Sequence, residues 1–289
     1  MKSSLPRSPS QRRFAALRHW RAYLVMALMS VPFVFPFWWM ISSSVKGLND
    51  IFAFPPPLFP ANPNWSNFVD VFSYQPFARQ YSNSLFISTV VTIGVMLIAS
   101  LSGYAYARIN FRGRNGLFLL VLCALMIPAE VTIIPNFRTM TAFDWVNTHI
   151  PLIIIPIFGA GSVFGTFMMR QFFLQLPREI EESGMLDGLN RFGIFVRIAL
   201  PLARPALGAL AVLTFLSSWN AYLEPLLYIN DLPLFTLPLA LANFVDAYGT
   251  PLWHLQLAAT TLAVAPVLIV YIFAQRQIID SFMQTGVKG

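Results

Sequence analysis

Six long apolar stretches constrain this chain more than any other feature of its sequence. A bilayer core about 30 Å thick needs roughly 20 apolar helical residues to cross it. With 56% hydrophobic and 11% charged residues, the 289-residue chain has more apolar surface than a soluble domain of this size can bury. The sequence therefore predicts an all-α integral membrane protein with six transmembrane helices. The predicted spans are residues 23–41, 85–106, 117–135, 150–169, 206–225 and 257–275.

Basic residues set the predicted orientation, because Lys and Arg are retained on the cytoplasmic side of a membrane. With the N-terminus inside, 16 of the 19 Lys and Arg residues are cytoplasmic, and Lys46, Arg79 and Arg138 lie outside. No small-residue cleavage site follows the first span, which predicts an uncleaved anchor. The predicted divisions are a basic cytoplasmic N-terminal segment (1–22), a six-helix transmembrane domain (23–275) and a cytoplasmic C-terminal tail (276–289).

The basic residues cluster beside apolar spans and form no stripe with interleaved aromatic residues. Membrane lipid is therefore the expected partner of these residues, and nucleic acid is not. The three outer loops differ in character: 42–84 is long and rich in Pro and Asn, 136–149 is short, and 226–256 carries acids but no Lys or Arg. The last loop either contacts a molecule on the outer face or is a plain solvated loop, and its composition leaves both open.

One long charged segment, residues 170–205, interrupts the apolar second half of the chain. Pro177 and the acids after it predict the start of a short helix, where the positive end of the helix dipole favours carboxylates. Asp187 and Gly188 predict a turn in which glycine adopts a positive φ. Apolar residues then recur at helical spacing from Phe192 onward, which predicts a second helix that is stopped by Pro201 and Pro205.

The residues of this segment resemble a known motif. Glu182-Ser183-Gly184-Met185-Leu186-Asp187-Gly188, followed by Phe195, Ile198, Leu200-Pro201-Leu202 and Pro205, resembles the cytoplasmic EAA loop of binding-protein-dependent ABC import permeases. Ser183 and Gly184 replace the two alanines of the usual motif with other small residues. Shorter matches to the maltose-type carbohydrate subgroup extend the resemblance over nearly the whole chain after residue 20. They lie at residues 39–46, 104–111, 127–135, 219–226 and 286–289.

The resemblance implies the type I ABC importer permease fold, with segment 170–205 as the coupling loop. It also implies a prokaryotic plasma membrane location and four kinds of partner: a second permease subunit, two ATPase subunits, an extracellular solute-binding protein and a small-molecule solute, typically a sugar. In that setting Glu182 pairs with the ATPase, Asp187 fixes the turn and Gly188 allows close approach. The residues that the resemblance assigns to ATPase coupling are Glu182, Ser183, Gly184, Asp187, Gly188 and Pro201.

Polar groups at membrane depth are costly unless paired or wetted, so they tend to point into a helix bundle. Some of them are candidates for the translocation path, although pairing with a neighbouring helix is the competing interpretation. Trp219 and Tyr222 are candidates for stacking on a sugar ring, or else for anchors at the membrane interface. The candidate path residues are Glu130, Asn136, Ser217, Ser218, Trp219, Asn220, Tyr222, Glu224, Asn83 and Ser84.

The sequence carries no phosphate-binding glycine loop, no Ser/His/Asp constellation and no metal-ligand spacing among its three histidines. It therefore predicts a transport subunit that is not itself an enzyme and holds no metal or cofactor, with ATP and Mg on the ATPase chains. Two other functions stay open. One is the same architecture importing glycerol 3-phosphate or a glycerophosphodiester, and the other is an ion-coupled secondary transporter.

The predicted orientation is directly testable with reporter fusions. A reporter joined after residue 190 is expected to be active in the cytoplasm, and one joined after residue 246 is expected to be active outside, because 16 of 19 basic residues then lie inside. A fusion at residue 190 that reports an external location contradicts this topology.

Overall fold

The computed structural model describes the backbone of residues 20–286 and the side chains of residues 20 and 22–272. Most of the predicted segment 1–22 and the end of the predicted tail 276–289 lie outside the described residues. The described part is helical, with one isolated bridge and no strand. Its α-helices are α1 (Trp20–Ser44), α2 (Leu48–Ile51), α3 (Ser66–Tyr74), α4 (Phe77–Arg108), α5 (Arg114–Cys123), α6 (Ala129–Ala142), α7 (Ile150–Phe158), α8 (Ala160–Gln175), α9 (Arg178–Leu186), α10 (Arg191–Ile194), α11 (Leu200–Leu202), α12 (Arg204–Trp219), α13 (Leu223–Tyr228), α14 (Leu237–Ala242) and α15 (Trp253–Gly286).

Four helical segments of the described residues are long and apolar enough to cross a membrane. Two bent helix pairs meet the same criterion when each pair is taken together, which gives up to six spans. The apolar windows of the sequence fall on these helices. The four segments are Ala22–Ser44, Phe77–Arg108, Ile150–Gln175 and Trp253–Ile272, and the two pairs are Arg114–Met126 with Ala129–Ala142 and Arg191–Leu202 with Arg204–Trp219.

The third predicted span, 117–135, is not one straight helix. Helix α5 ends in a 3-10 turn, and the chain then bends by 95° before α6. Ile127 has extended backbone angles, as expected for a residue before proline, and Pro128 has no N–H to continue the helical ladder. A hydropathy window does not register such a break, because both arms are apolar.

The fifth predicted span, 206–225, also differs from the structure, because α12 stops at Trp219. Both the backbone N–H and the side-chain amide of Asn220 donate to the carbonyl of Leu216, at 3.1 and 2.8 Å. A side chain that bonds its own helix in this way competes with continuation of the helix. A separate short helix, α13, then begins at Leu223.

The closest helix packing joins α4 to α8, where small residues let the two backbones approach. A Cβ added to Gly103 would lie 2.7 Å from Cβ of Met169, and a Cβ added to Gly165 would lie equally close to α4. The hydroxyl oxygens of Ser102 and Thr166 are 2.6 Å apart across the same interface. The two helices are therefore in contact at backbone distance over several turns and form one packed unit, called here the α4–α8 unit.

The long loop after α1 is ordered around Lys46, whose side chain is fully buried. Its Nζ donates to the carbonyl of Pro57 at 2.7 Å and lies 4.1 Å from the centre of the Trp39 ring. The side-chain amide of Asn67 donates to the carbonyl of Lys46 at 3.0 Å. Burial lowers the pKa of Lys46. These contacts hold the proline-rich segment against the end of α1, so the predicted loop 42–84 is structured and contains α2 and α3.

The packing of the α4–α8 unit predicts the effect of a single methyl group. Gly103→Ala places a Cβ within 2.9 Å of the backbone nitrogen of Arg170, which cannot move without separating the helices. We expect the free energy of unfolding to fall by about 1–3 kcal/mol, and the Tm for thermal unfolding in detergent to fall with it. Gly116→Ala is the matched control, because no atom lies within 4 Å of its added Cβ. Equal Tm values for the two variants contradict this packing.

Candidate functional site

The charged segment forms a short helix where the sequence predicts one. Helix α9 has Pro177 at its N-cap and carries Glu179 and Glu181 in its first turn, which confirms the predicted start. Carboxylates at these positions complement the unpaired N–H groups and the positive end of the helix dipole. The helix is amphipathic, because Glu181 and Gly184 are buried while the acids on either side of Glu181 are exposed.

A corner at residues 187–190 joins α9 to α10. Gly188 has a φ of +80°, a conformation that glycine adopts without steric cost, so the predicted positive-φ turn is confirmed. The side-chain oxygen of Asn190 accepts a hydrogen bond from the N–H of Gly193 at 2.7 Å and caps α10. The turn is thus held by specific backbone and side-chain bonds.

Gly184 and Gly188 have different structural roles. A Cβ added to Gly184 would lie 2.7 Å from Cδ1 of Ile198 and 3.4 Å from Cγ1 of Ile194, so this glycine lets the two arms of the corner touch. A Cβ added to Gly188 would meet no atom of the chain within 4 Å. Inside the chain, close approach therefore occurs at Gly184. The role of Gly188 toward an outside partner stays a prediction.

The second arm of the corner, residues 191–202, ends between Pro201 and Pro205, the two prolines that the sequence predicts will stop it. After α10 the helix continues as a π-helical turn, Phe195–Ala199, and then as α11. In this wide turn the N–H of Leu200 donates to the carbonyl of Phe195, five residues back. A wide turn before a proline accommodates the ring, which lacks an N–H and clashes with the preceding turn of a regular α-helix. The chain breaks only at Ala203, where it bends by 74° into α12.

Most of the residues assigned to ATPase coupling are exposed. Glu182 and Ser183 are exposed on α9, Asp187 and Gly188 in the corner and Pro201 on the second arm, whereas Gly184 is buried between the arms. Sequence reasoning missed an apolar part of the surface: the side chain of Leu186 is 89% exposed and that of Phe192 is 68% exposed. Exposed large apolar side chains beside an exposed carboxylate are typical of a docking surface. Their position after an amphipathic helix was the available signal.

Sequence reasoning also missed the ion pair beneath the corner. Arg108 Nε lies 3.3 Å from Glu181 Oε1, and the two side chains are 7% and 10% exposed. Arg108 also donates to the carbonyls of Phe173, at 2.9 Å from Nε, and Leu176, at the end of α8. Arginine at this position supplies the last carbonyls of a helix with donors. The spacing of the sequence gives no hint of this pair, because 73 positions separate its members.

An aromatic cluster attaches the second arm to the α4–α8 unit, beside the ion pair. The rings of Tyr104 and Phe173 meet edge to face with centroids 5.4 Å apart, and the ring of Phe195 lies 5.1 Å from that of Tyr104. All three side chains are buried. Both arms of the corner are therefore rooted in the α4–α8 unit, one through an ion pair and the other through packed rings.

The candidate path residues fall in three places. Glu130 and Asn136 lie on α6, exposed and half-buried respectively. Tyr222 and Glu224 are exposed at the start of α13, and Ser218 is half-buried near the end of α12. An open cavity of about 780 Å³ lies between α6 and α13, but none of the candidates lines it. Its lining residues are Ile133, Ile134, Phe137, Arg138, Thr141, Ala142, Leu226 and Leu227.

Four candidate path residues have structural contacts instead; among them, the hydroxyl of the buried Ser84 accepts a hydrogen bond from the N–H of Leu237 at 2.6 Å. The ring of Trp219 is 3% exposed and stacks on Phe215 at 5.6 Å, so it lies in the core and is not available to a sugar. The amide of Asn83 donates to the carbonyls of Pro233 and Phe235, at 2.9 and 3.1 Å. The amide of Asn220 donates to the carbonyl of Leu216 in its own helix. These contacts favour the competing interpretation, in which polar side chains near a membrane are satisfied within the helix bundle.

The predicted outer loop 226–256 is structured at its tip. Asp246 Oδ1 accepts hydrogen bonds from the N–H groups of Tyr248 and Thr250, both at 2.8 Å, and these bonds lower the pKa of the carboxyl. Gly249 has a φ of +79°, and the side chain of Tyr248 is 95% exposed.

Within the part of the chain whose side chains are described, no three His, Cys, Asp or Glu residues cluster as metal ligands.

Comparison with known proteins identifies the protein family that this chain matches. Residues 96–283 match the family described as binding-protein-dependent transport system inner membrane component. The arabinooligosaccharides transport system permease protein AraQ of Halalkalibacterium halodurans is 34% identical over 96% of this chain and 100% of its own length. The sn-glycerol-3-phosphate transport system permease protein UgpE of Pectobacterium atrosepticum is 30% identical, covering 88% of this chain and 91% of its own.

A solved structure shares the fold. The crystal structure of a bacterial ABC transporter involved in the import of the acidic polysaccharide alginate contains a chain that superposes with a TM-score of 0.77 and 20% identity. The match covers 94% of this chain and 99% of that chain. The apolar helices and the family match together indicate a multi-pass transport subunit of the plasma membrane. The chain belongs to the binding-protein-dependent ABC import permeases.

Proposed function

We propose that this chain is the permease subunit of an ABC importer that carries a sugar or sugar-like solute from an extracellular binding protein into the cytoplasm. The observation that carries the proposal is the pair of helical arms that meet at the corner of residues 187–190. These arms present Glu182 and two large apolar side chains outward, and both arms are attached to the α4–α8 unit. A rigid projection of this kind transmits a push from a partner, whereas a flexible loop absorbs it.

The partners follow from this arrangement. Two ATPase subunits hold ATP and Mg, and this chain carries no cofactor and no ATPase site of its own. Glu182 pairs with a cation on the ATPase, and the apolar side chains of Leu186 and Phe192 fill a cleft there. Helix α1 has no buried residue in its apolar window, which leaves its surface to membrane lipid and to a second permease subunit. Both termini and the 170–205 segment are cytoplasmic.

Transport is then a rocking motion of the helix bundle. Closure of the two ATPases on ATP draws the corners of the two permeases together, and each corner moves the α4–α8 unit to which it is attached. The 74° bend at Ala203 passes the same movement into α12. Hydrolysis releases the corners and resets the bundle. The solute binds at the level of α6 and α13, which line the open cavity and carry or adjoin the exposed Glu130, Tyr222 and Glu224 and the half-buried Asn136 and Ser218.

Sugars are the first candidate solutes because the AraQ relative, which matches this chain end to end, is named for arabinooligosaccharides. The second candidate is glycerol 3-phosphate or a glycerophosphodiester. One observation favours it: Arg138 lines the cavity beside α6, and no salt bridge of the described residues involves it. A relative named for sn-glycerol 3-phosphate supports the same solute class. An ion-coupled secondary transporter is the third choice, and it predicts uptake without ATP.

Reconstitution tests the proposal directly. The complex of both permeases and both ATPases is placed in lipid vesicles with its solute-binding protein, and uptake of labelled arabinotriose, maltose and sn-glycerol 3-phosphate is measured. We expect uptake of one of the sugars that requires both ATP and the binding protein. Uptake by this chain without ATPase subunits contradicts the proposal, and uptake of sn-glycerol 3-phosphate alone selects the second candidate.

Docking of the corner is tested at Gly188. Gly188→Asp is expected to lower uptake at least about tenfold while the subunit remains in the membrane, because a charged side chain then projects from the docking surface. Gly113→Asp is the matched control. Gly113 has a φ of +81°, close to the +80° of Gly188, and its added Cβ also meets no atom within 4 Å. Equal uptake by the two variants argues against docking at Gly188.

A further inference from the structure

Two neighbouring carboxylates of α9 lie in different surroundings. Glu182 is exposed on the docking surface, whereas the side chain of Glu181 is 10% exposed and points toward the α4–α8 unit. Successive residues of an α-helix are about 100° apart around its axis, so one short helix can present one acid to a partner and bury the next. The proposed docking uses Glu182 and leaves Glu181 without a role.

Burial of Glu181 is costly unless a cation compensates it. Arg108 is that cation: its Nε lies 3.3 Å from Glu181 Oε1. This is the only salt bridge among the side chains that the structure describes. The oxygen accepts no hydrogen bond from a described group, so the contact with Arg108 is what compensates the charge of this buried atom.

Arg108 also joins three elements at one point. It is the last residue of α4, it donates through Nε and Nη2 to the carbonyls of Phe173 and Leu176 at the end of α8, and it pairs with α9. The planar guanidinium has donors in a fixed fork, so the two carbonyls hold it in one orientation. A lysine has no such fork. The arginine thus carries a positive charge at a fixed place beside both helices of the α4–α8 unit, and that charge attracts Glu181 of α9.

We propose that Arg108 and Glu181 are positioning residues that lock α9 to the α4–α8 unit, so that a displacement received at Glu182 moves the helix bundle. This role rests on the proposed function of the corner. Without the pair, α9 is held against the second arm mainly at Gly184 and through the corner itself. It then swivels when the ATPases close, and ATP is hydrolysed without moving solute.

The test measures solute molecules transported per ATP hydrolysed by the reconstituted complex. It uses whichever of arabinotriose, maltose and sn-glycerol 3-phosphate the unmodified complex transports. Glu181→Gln removes the buried charge but keeps the shape, and we expect it to lower this ratio at least about 5-fold. Glu179→Gln is the matched control, because Glu179 lies exposed in the same first turn of α9, and it is expected to keep the ratio.

A second variant separates positioning from folding. Removing both charges avoids a lone buried ion, so Arg108→Met/Glu181→Met is expected to assemble yet keep the low ratio, although it also loses the bonds from Arg108 to the carbonyls of Phe173 and Leu176. A normal ratio in Glu181→Gln or in the double variant overturns the proposal. Failure of both variants to assemble also overturns it, because the pair is then needed for folding alone. An unmodified complex without ATP-driven uptake contradicts the proposed function itself, and the role of the pair falls with it.

Discussion

The close contact between α4 and α8 is the constraint on which the rest of the structure depends. Apolar helices gain little by leaving lipid for one another, so their association relies on close packing and on the few polar bonds between them. Gly103 and Gly165 provide the closeness, and the Ser102–Thr166 hydrogen bond provides the polar contact. Arg108 then closes the end of the pair by donating to the last carbonyls of α8. The charged segment after α8 is built on that closed end.

The corner after α8 combines an exposed surface with a buried root. Its surface carries Glu182 and two large exposed apolar side chains, and its root consists of Glu181 and Phe195. Without the buried contacts, a partner that binds the exposed surface cannot move the bundle. Without the exposed surface, the buried contacts have no partner to respond to. Both are present on fewer than 30 residues because an α-helix turns about 100° per residue, which lets adjacent positions serve opposite faces.

Much of this architecture was predictable from local rules. The apolar windows located the membrane helices, Pro177 and the acids after it located α9, and Gly188 located the turn. The failures share one cause: a backbone constraint or a tertiary contact outweighs the local apolar or aromatic pattern, and the pattern itself gives no sign of it. The third window breaks at Pro128 although both arms are apolar. The π-helical turn that makes room for Pro201 within the second arm has no signal in a local pattern either. Trp219 resembles a stacking platform in sequence, yet its ring lies in the core against Phe215.

The sequence by itself determined the class of protein, the approximate spans and the position of the corner, because each depends on hydrophobicity, charge or a glycine within a few residues. Only the tertiary structure decided which of two adjacent glutamates is buried and which cation compensates it. Arg108 and Glu181 lie 73 positions apart, and they meet because α4 and α8 are packed at backbone distance. A contact of that range is set by how helices pack against one another, which a local pattern in the chain does not record.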